Sequence, residues 1–107
     1  GWMRFADGRK PCLRSSSLFL DAMFPPVINI WPSTWVPTVA MDFQFWGRPS
    51  APSENPSCPS HHGWVRARMM TTHCRDGLLI EDGEIWDARE DRLLASSRQF
   101  AKFMPPR

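Results

Sequence analysis

Two hydrophobic periods share this chain. From Ser15 to Phe24 the apolar residues recur at helical spacing, with Leu18/Ala22, Phe19/Met23 and Leu20/Phe24 forming i,i+4 pairs. They leave little of the circumference polar, which is the mark of a buried helix. Ser15, Ser16 and Ser17 offer N-cap oxygens, and Pro25-Pro26 stops the helix. The pattern predicts one helix, Ser15 to Phe24, as the only real helix of the chain.

Elsewhere the period is two. Trp2 to Phe5 reads as a short strand ended by Asp7-Gly8. Val27 to Val36 is irregular, with Trp31 and Trp35 expected to cover the core. From Thr38 to Phe45, Val39, Met41, Phe43 and Phe45 alternate with Thr38, Ala40, Asp42 and Gln44, and Pro37 fits a first strand position. Gly47 to Gly63 is a Pro/Ser-rich stretch, read as a long mobile loop without a packed element.

Trp64 to Cys74 alternates again, Val65/Ala67/Met69/Thr71 against Arg66/Arg68/Met70/Thr72. Asp76-Gly77 is a strong hairpin signal leading into Leu78 to Trp86, where Asp82-Gly83 suggests a bulge. A turn at Asp87 to Asp91 precedes a last strand, Arg92 to Phe103. There Leu93, Ala95, Ser97, Gln99, Ala101 and Phe103 share one face. The order is strand, helix, then four antiparallel strands with hairpin-like connections. The compact solution is an α+β fold, a curled five-stranded antiparallel sheet wrapped on one central helix, which is the hotdog architecture.

Composition narrows the class. With 107 residues, 42% apolar and 22% charged, the chain suits one domain with one modest core. A net charge of +2 is too small to suggest nucleic acid. No apolar run approaches the roughly 18 residues of a membrane span, and Gly1-Trp2-Met3-Arg4 does not open a signal peptide. Three cysteines at irregular spacing do not form a disulfide framework, so a reducing, cytoplasmic setting is expected. The chain starts with Gly in mid-pattern and reads as a piece of a longer protein.

Two polar residues break the apolar pattern. Asp21 sits in the apolar helix, where an unpaired buried carboxylate is costly. Gln99 sits on the small, apolar face of the last strand, where its amide needs partners. If that face looks at the helix, Gln99 can meet Asp21, and Thr38 can supply a hydroxyl. A carboxylate, an amide and a hydroxyl can hold a water and remove its proton. The alternative places Asp21 at an exposed helix end and Gln99 near a sheet rim.

A family resemblance bears on that choice. The stretch Gly77 to Asp87 (Gly-Leu-Leu-Ile-Glu-Asp-Gly-Glu-Ile-Trp-Asp) and the following Arg92-Leu-Leu-Ala-Ser-Ser-Arg-Gln resemble the closing strand pair of the TesB-like, or type II, acyl-CoA thioesterases, in their second hotdog domain. Leu18 to Pro26 is similar to that domain's central helix, and Trp35 to Phe43 supplies a third patch in the same order. The resemblance implies a catalytic group of Asp21, Thr38 and Gln99, with Asp21 as general base and the other two orienting water. It implies an acyl-CoA substrate, no cofactor, and a single hotdog domain over residues 1–107 that is the second half of a double-hotdog protein. A second hotdog domain or a homo-oligomer would complete the site. Two departures stand out: the long Gly47–Gly63 loop, and an Ala88-Arg-Glu-Asp turn without the usual Gly.

Other candidates are weaker. Cys58, His61, His62, His73 and Cys74 offer zinc-ligand types without a recognised spacing, so no metal is expected. Cys74 beside His73 lacks the placed base that a thiol nucleophile needs. Arg66 and Arg68 can meet CoA phosphates or form a solvated face. Six tryptophans suit core and interface packing. The expected function is therefore hydrolysis of acyl-CoA to free acid and CoA. The alternative is a non-catalytic hotdog that binds acyl-CoA or dimerises. In the first, Asp21, Thr38 and Gln99 converge; in the second they diverge, or Trp31, Trp35 or Met23 fills the space for the acyl chain.

Overall fold

A computed structural model describes residues 1–23, 25–30, 32 and 35–104. Its elements are β1 (Trp2–Met3), α1 (Ser15–Ala22), β2 (Thr38–Phe45), β3 (Val65–Arg75), β4 (Leu78–Trp86) and β5 (Leu93–Lys102). The strands form one antiparallel sheet in the order β1-β3-β4-β5-β2. A five-stranded antiparallel sheet with one short helix is compatible with the expected hotdog fold.

The helix is shorter and more one-sided than its pattern suggests. Met23 is already extended (φ −68°, ψ 136°), and Phe24, the expected last residue, lies outside the described residues. Phe19 and Leu20 are buried, whereas Leu18, Asp21 and Ala22 are exposed. Eight residues are too few for a stable isolated helix, so packing must hold it. Phe19 and Leu20 supply that packing against Val65, Ala67, Ile85, Leu94 and Ala95, and each such side chain contributes roughly 1.5–3 kcal/mol on burial. The serines do not cap the helix as expected. Arg14 is the N-cap residue, with no side-chain cap bond. Ser15 Oγ instead donates to the Cys12 carbonyl at 2.8 Å and accepts from the Cys12 N–H at 2.8 Å.

The strand ends follow the sequence signals closely. Asp76 and Gly77 both take positive φ, 53° and 77°, and join β3 to β4 in a two-residue turn. One expectation fails: β4 has no bulge at Asp82-Gly83, where the β3 register runs unbroken. Gly83 is there for closeness. A Cβ on it would stand 2.6 Å from Met69 Sδ, 2.7 Å from Ser97 Oγ and 2.9 Å from Leu20 Cδ2. The β3–β4 register shift falls between Thr71 and His73 instead.

The connection from β2 to β3 is not a hairpin. β2 pairs with β5 at one edge, while β3 lies between β1 and β4. The chain from 47 to 63 must therefore cross the end of the sheet, which explains its length. It is tied down as it crosses. Ser50 N–H and Oγ donate to the Asp87 carboxylate at 3.0 and 2.8 Å, and Arg92 donates to the Arg48 carbonyl at 2.9 Å. It also carries a turn of 3₁₀ helix, Pro59–His62, with Ser60 buried, against the expectation of no packed element.

A second 3₁₀ turn, Pro26–Asn29, brings Val27 down onto Leu79 and Ala101. Trp35 does not cover the core as expected; it is exposed and bridges to Met104 at the sheet end. Trp31 lies outside the described residues.

Candidate functional site

The inner face of the sheet is not uniformly apolar. Along β4 the inward residues are Leu79, Glu81, Gly83 and Ile85, and their partners on β5 are Ala101, Gln99, Ser97 and Ala95. Two apolar clusters therefore lie at the ends of the face. One holds Val27, Leu79 and Ala101; the other holds Phe19, Leu20, Val65, Ala67, Ile85, Leu94 and Ala95. Between them runs a polar row. Thr71 on β3 donates from Oγ1 to Glu81 Oε1 at 3.2 Å, Glu81 stands directly opposite Gln99, and Gln99 Nε2 donates to Thr38 Oγ1 on β2.

Thr38 reaches this row through a β-bulge. Strict alternation puts Thr38 on the face opposite Met41. The register shifts between Thr38 and Ala40, so Thr38 faces Ala101 and Met41 faces Gln99, both inward. Gln99 is 8% exposed, and its bond to Thr38 meets the need of a buried amide.

Asp21 sits at the other side of the same opening. Ser17, Leu18 and Asp21 from α1 and Thr38, Met41 and Phe43 from β2 line an open groove of about 450 Å³. Asp21 is exposed and has no hydrogen bond or ion pair among the described residues. Of the three residues singled out in the sequence, the structure joins Gln99 to Thr38 directly and sets Asp21 and Thr38 on one groove.

Glu81 is the residue that the sequence pattern did not reveal. It is fully buried (0% exposed), and burial pushes its carboxyl up, against the smaller opposing effect of the Thr71 hydrogen bond. Its Oε2, like the buried Ser97 Oγ, has no hydrogen-bond partner among the described residues. The signal was available: Leu79, Glu81 and Gly83 share the parity of the buried Ile85, which places an acid inward.

The remaining candidates are engaged elsewhere. Arg66 donates to the Asp87 carbonyl at 3.0 Å and pairs with Asp91, and Arg68 pairs loosely with Glu84 at 3.8 Å. His61 Nδ1 bonds the Ser53 carbonyl and His62 Nε2 the Pro56 carbonyl, each at 2.8 Å, so both rings brace the crossing loop. Cys12, Cys58 and Cys74 are free thiols. Among the described residues no helix is long and apolar enough to cross a membrane.

An antiparallel sheet with one packed helix is compatible with a hotdog-like domain, and a groove lined by Ser17, Asp21 and Thr38 beside Leu18, Met41 and Phe43 opens at its β2 edge. The chain belongs to the family described as the acyl-CoA thioesterase C-terminal domain, whose model matches residues 1–102. That match agrees with the resemblance to the C-terminal hotdog domain of TesB-like thioesterases. No curated protein matches the chain.

Proposed function

We propose that this domain serves hydrolysis of acyl-CoA thioesters, releasing the free acid and CoA, with Asp21 as general base and Thr38 and Gln99 as the groups that orient the attacking water. The observation that carries this reading is the Gln99–Thr38 hydrogen bond opening onto the groove that Asp21 also lines. A water held between Thr38 and Asp21 loses a proton to the carboxylate as its oxygen bonds the thioester carbon. The C–S bond then breaks, and the departing thiolate takes up the proton held on Asp21. The second N–H of the Gln99 amide is a donor available to the developing oxyanion.

The same reading makes this domain the second half of a double-hotdog protein, completed by a first hotdog domain or by another copy. Its support is the exposed β2 edge. Val39, Phe43, Phe45 and Trp46 are all exposed there, beside the groove. The radius of gyration, 15.0 Å, also exceeds the roughly 13 Å of a compact chain of this length. A partner over β2 would bury this apolar edge and wall the groove. The free thiols suit the cytoplasm, a reducing compartment.

A second reading, a non-catalytic acyl-CoA-binding or dimerisation module, draws on the unpartnered state of Asp21. Thiol release from a panel of acyl-CoAs separates the two, with the wild type beside Asp21→Asn and the oligomeric state recorded on the same sample. Turnover that falls in Asp21→Asn while the fold persists supports the hydrolase. A folded oligomer that binds acyl-CoA without turnover supports the module.

A further inference from the structure

The buried acid in the polar row is used by nothing described so far. Glu81 is anchored at Oε1 by Thr71 and has an unpartnered Oε2, with Gln99 as the polar side chain directly across the β4–β5 pair. Directly opposed residues in an antiparallel pair have Cβ atoms about 4.5–5.5 Å apart, a gap that a Glu and a Gln side chain bridge by rotation. We propose that Glu81 is a positioning residue for Gln99: its carboxylic acid donates a hydrogen bond to the Gln99 amide oxygen and so holds the amide nitrogen toward Thr38.

The argument runs on donors and acceptors. The Thr71 hydroxyl donates to Glu81 Oε1, so that oxygen is an acceptor. Gln99 Nε2 donates to Thr38 Oγ1, which leaves the Gln99 oxygen turned away from Thr38. A neutral carboxyl at Glu81 completes the chain with its proton on Oε2. Every donor then points from β3 toward β2, and the Thr38 hydroxyl proton is free to be donated into the groove beside Asp21. An ionised Glu81 has no proton to give. It would draw the amide N–H₂ instead and turn Gln99 over, since the two ends of an amide differ only as donor and acceptor.

The surroundings favour the neutral form of Glu81. β3 presents Thr71 and Met69 to this region, and β5 presents Gln99 and Ser97. α1 carries Asp21 as its one ionisable group, and the 3₁₀ turn Pro26–Asn29 carries none. None of these is a cation, so only the weaker effect of the Thr71 hydrogen bond opposes the desolvation of a charge on Glu81.

The inference rests on the hydrolase reading for its catalytic consequence, and the test therefore has two readouts. The first is the side-chain amide NMR signal of Gln99, assigned with a Gln99→Ala variant and followed from weakly acid to alkaline pH. In the wild type it should move as Glu81 ionises; in Glu81→Gln, which donates an N–H and cannot titrate, it should stay still. A Gln99 signal that ignores pH in the wild type overturns the proposal. The second is acyl-CoA turnover. Glu81→Leu should lower kcat about 10- to 100-fold with little change in KM. Glu81→Gln should restore most of that loss and remove the fall in kcat that accompanies Glu81 ionisation as pH rises. Unchanged kcat in a folded Glu81→Leu overturns the proposal. A wild type that turns over no acyl-CoA while its Gln99 signal still follows Glu81 supports the positioning and sinks the hydrolase reading alone.

Discussion

Gln99 and Thr38 are hydrogen-bonded although the strand register does not pair them. Thr38 stands opposite Ala101, and Gln99 stands opposite Met41. The bond is diagonal and depends on the bulge that turns Thr38 inward. Thr38→Val keeps the shape and removes the acceptor, leaving a buried amide unpaired. Urea unfolding should show a loss of about 1–3 kcal/mol, and Thr38→Ser should recover most of it.

Gly83 sets how closely the helix approaches the sheet. Any side chain there meets Met69, Ser97 and Leu20 at 2.6 to 2.9 Å. Gly83→Ala should destabilise the fold by about 1–3 kcal/mol through overpacking. Two of the three obstacles are ends of flexible side chains, so adding Met69→Ala should relieve part of the strain. Comparing the thermal midpoints of the single and double variants checks this.

Two buried carboxyls give the stability opposite pH dependences. Glu81 has its folded pKa raised above the ordinary glutamate value of 4.5, so the folded state holds its proton longer than the unfolded chain does. Its contribution is complete below that value and is lost as pH rises toward the folded pKa. Asp87 is the reverse. Burial pushes it up, but hydrogen bonds from Ser50, Glu90 and Arg89 outweigh that and leave it below the ordinary aspartate value of 3.8. Its contribution is present above 3.8 and is lost as pH falls through the folded pKa. In thermal unfolding across pH, Glu81→Gln should gain on the wild type as pH rises from 4.5. Asp87→Asn should be most damaging near neutrality and approach the wild type in acid.

The apolar β2 edge makes a prediction about assembly. Phe45 is 47% exposed and stacks on Phe43 with ring centroids 6.5 Å apart, so neither supports the core strongly. A charge there blocks edge pairing. Phe45→Lys should leave the circular dichroism spectrum intact and abolish self-association, or docking of a first hotdog domain, by light scattering. Persistence of the assembly would place the contact on another surface.

Much of this fold was legible in the residues. Parity separated the two faces along most of β3 and β5 because each strand has one buried side, and Asp76-Gly77 fixed its hairpin by backbone conformation alone. Parity failed at bulges. It set Thr38 on the wrong face, and strict alternation puts Leu94 on the face opposite Ala95 where a register shift beside Ile85 buries it fully. A bulge is a local count of residues between two strands, and a single strand's pattern does not contain it. The helix was misjudged for a different reason. Eight residues cannot be surrounded by one five-stranded sheet, so Leu18 and Ala22 face out despite their apolar spacing. Asp21 and Gln99 stood out in the sequence because each broke an apolar pattern, whereas Glu81 hid beside Asp82 and Glu84, among acids that look like one solvated run.

The polar row also acts as an alignment mark. Slipping β5 along β4 by one residue turns buried side chains outward and is rejected by hydrophobicity alone. A slip of two residues keeps every side chain on its face, and an all-aliphatic sheet would tolerate it. Here that slip would set Glu81 against Ser97 or Ala101 and remove the facing Glu81–Gln99 pair on which the proposed hydrogen bond depends. The interruption of the oily face thus removes the alternative pairing that oil by itself leaves open.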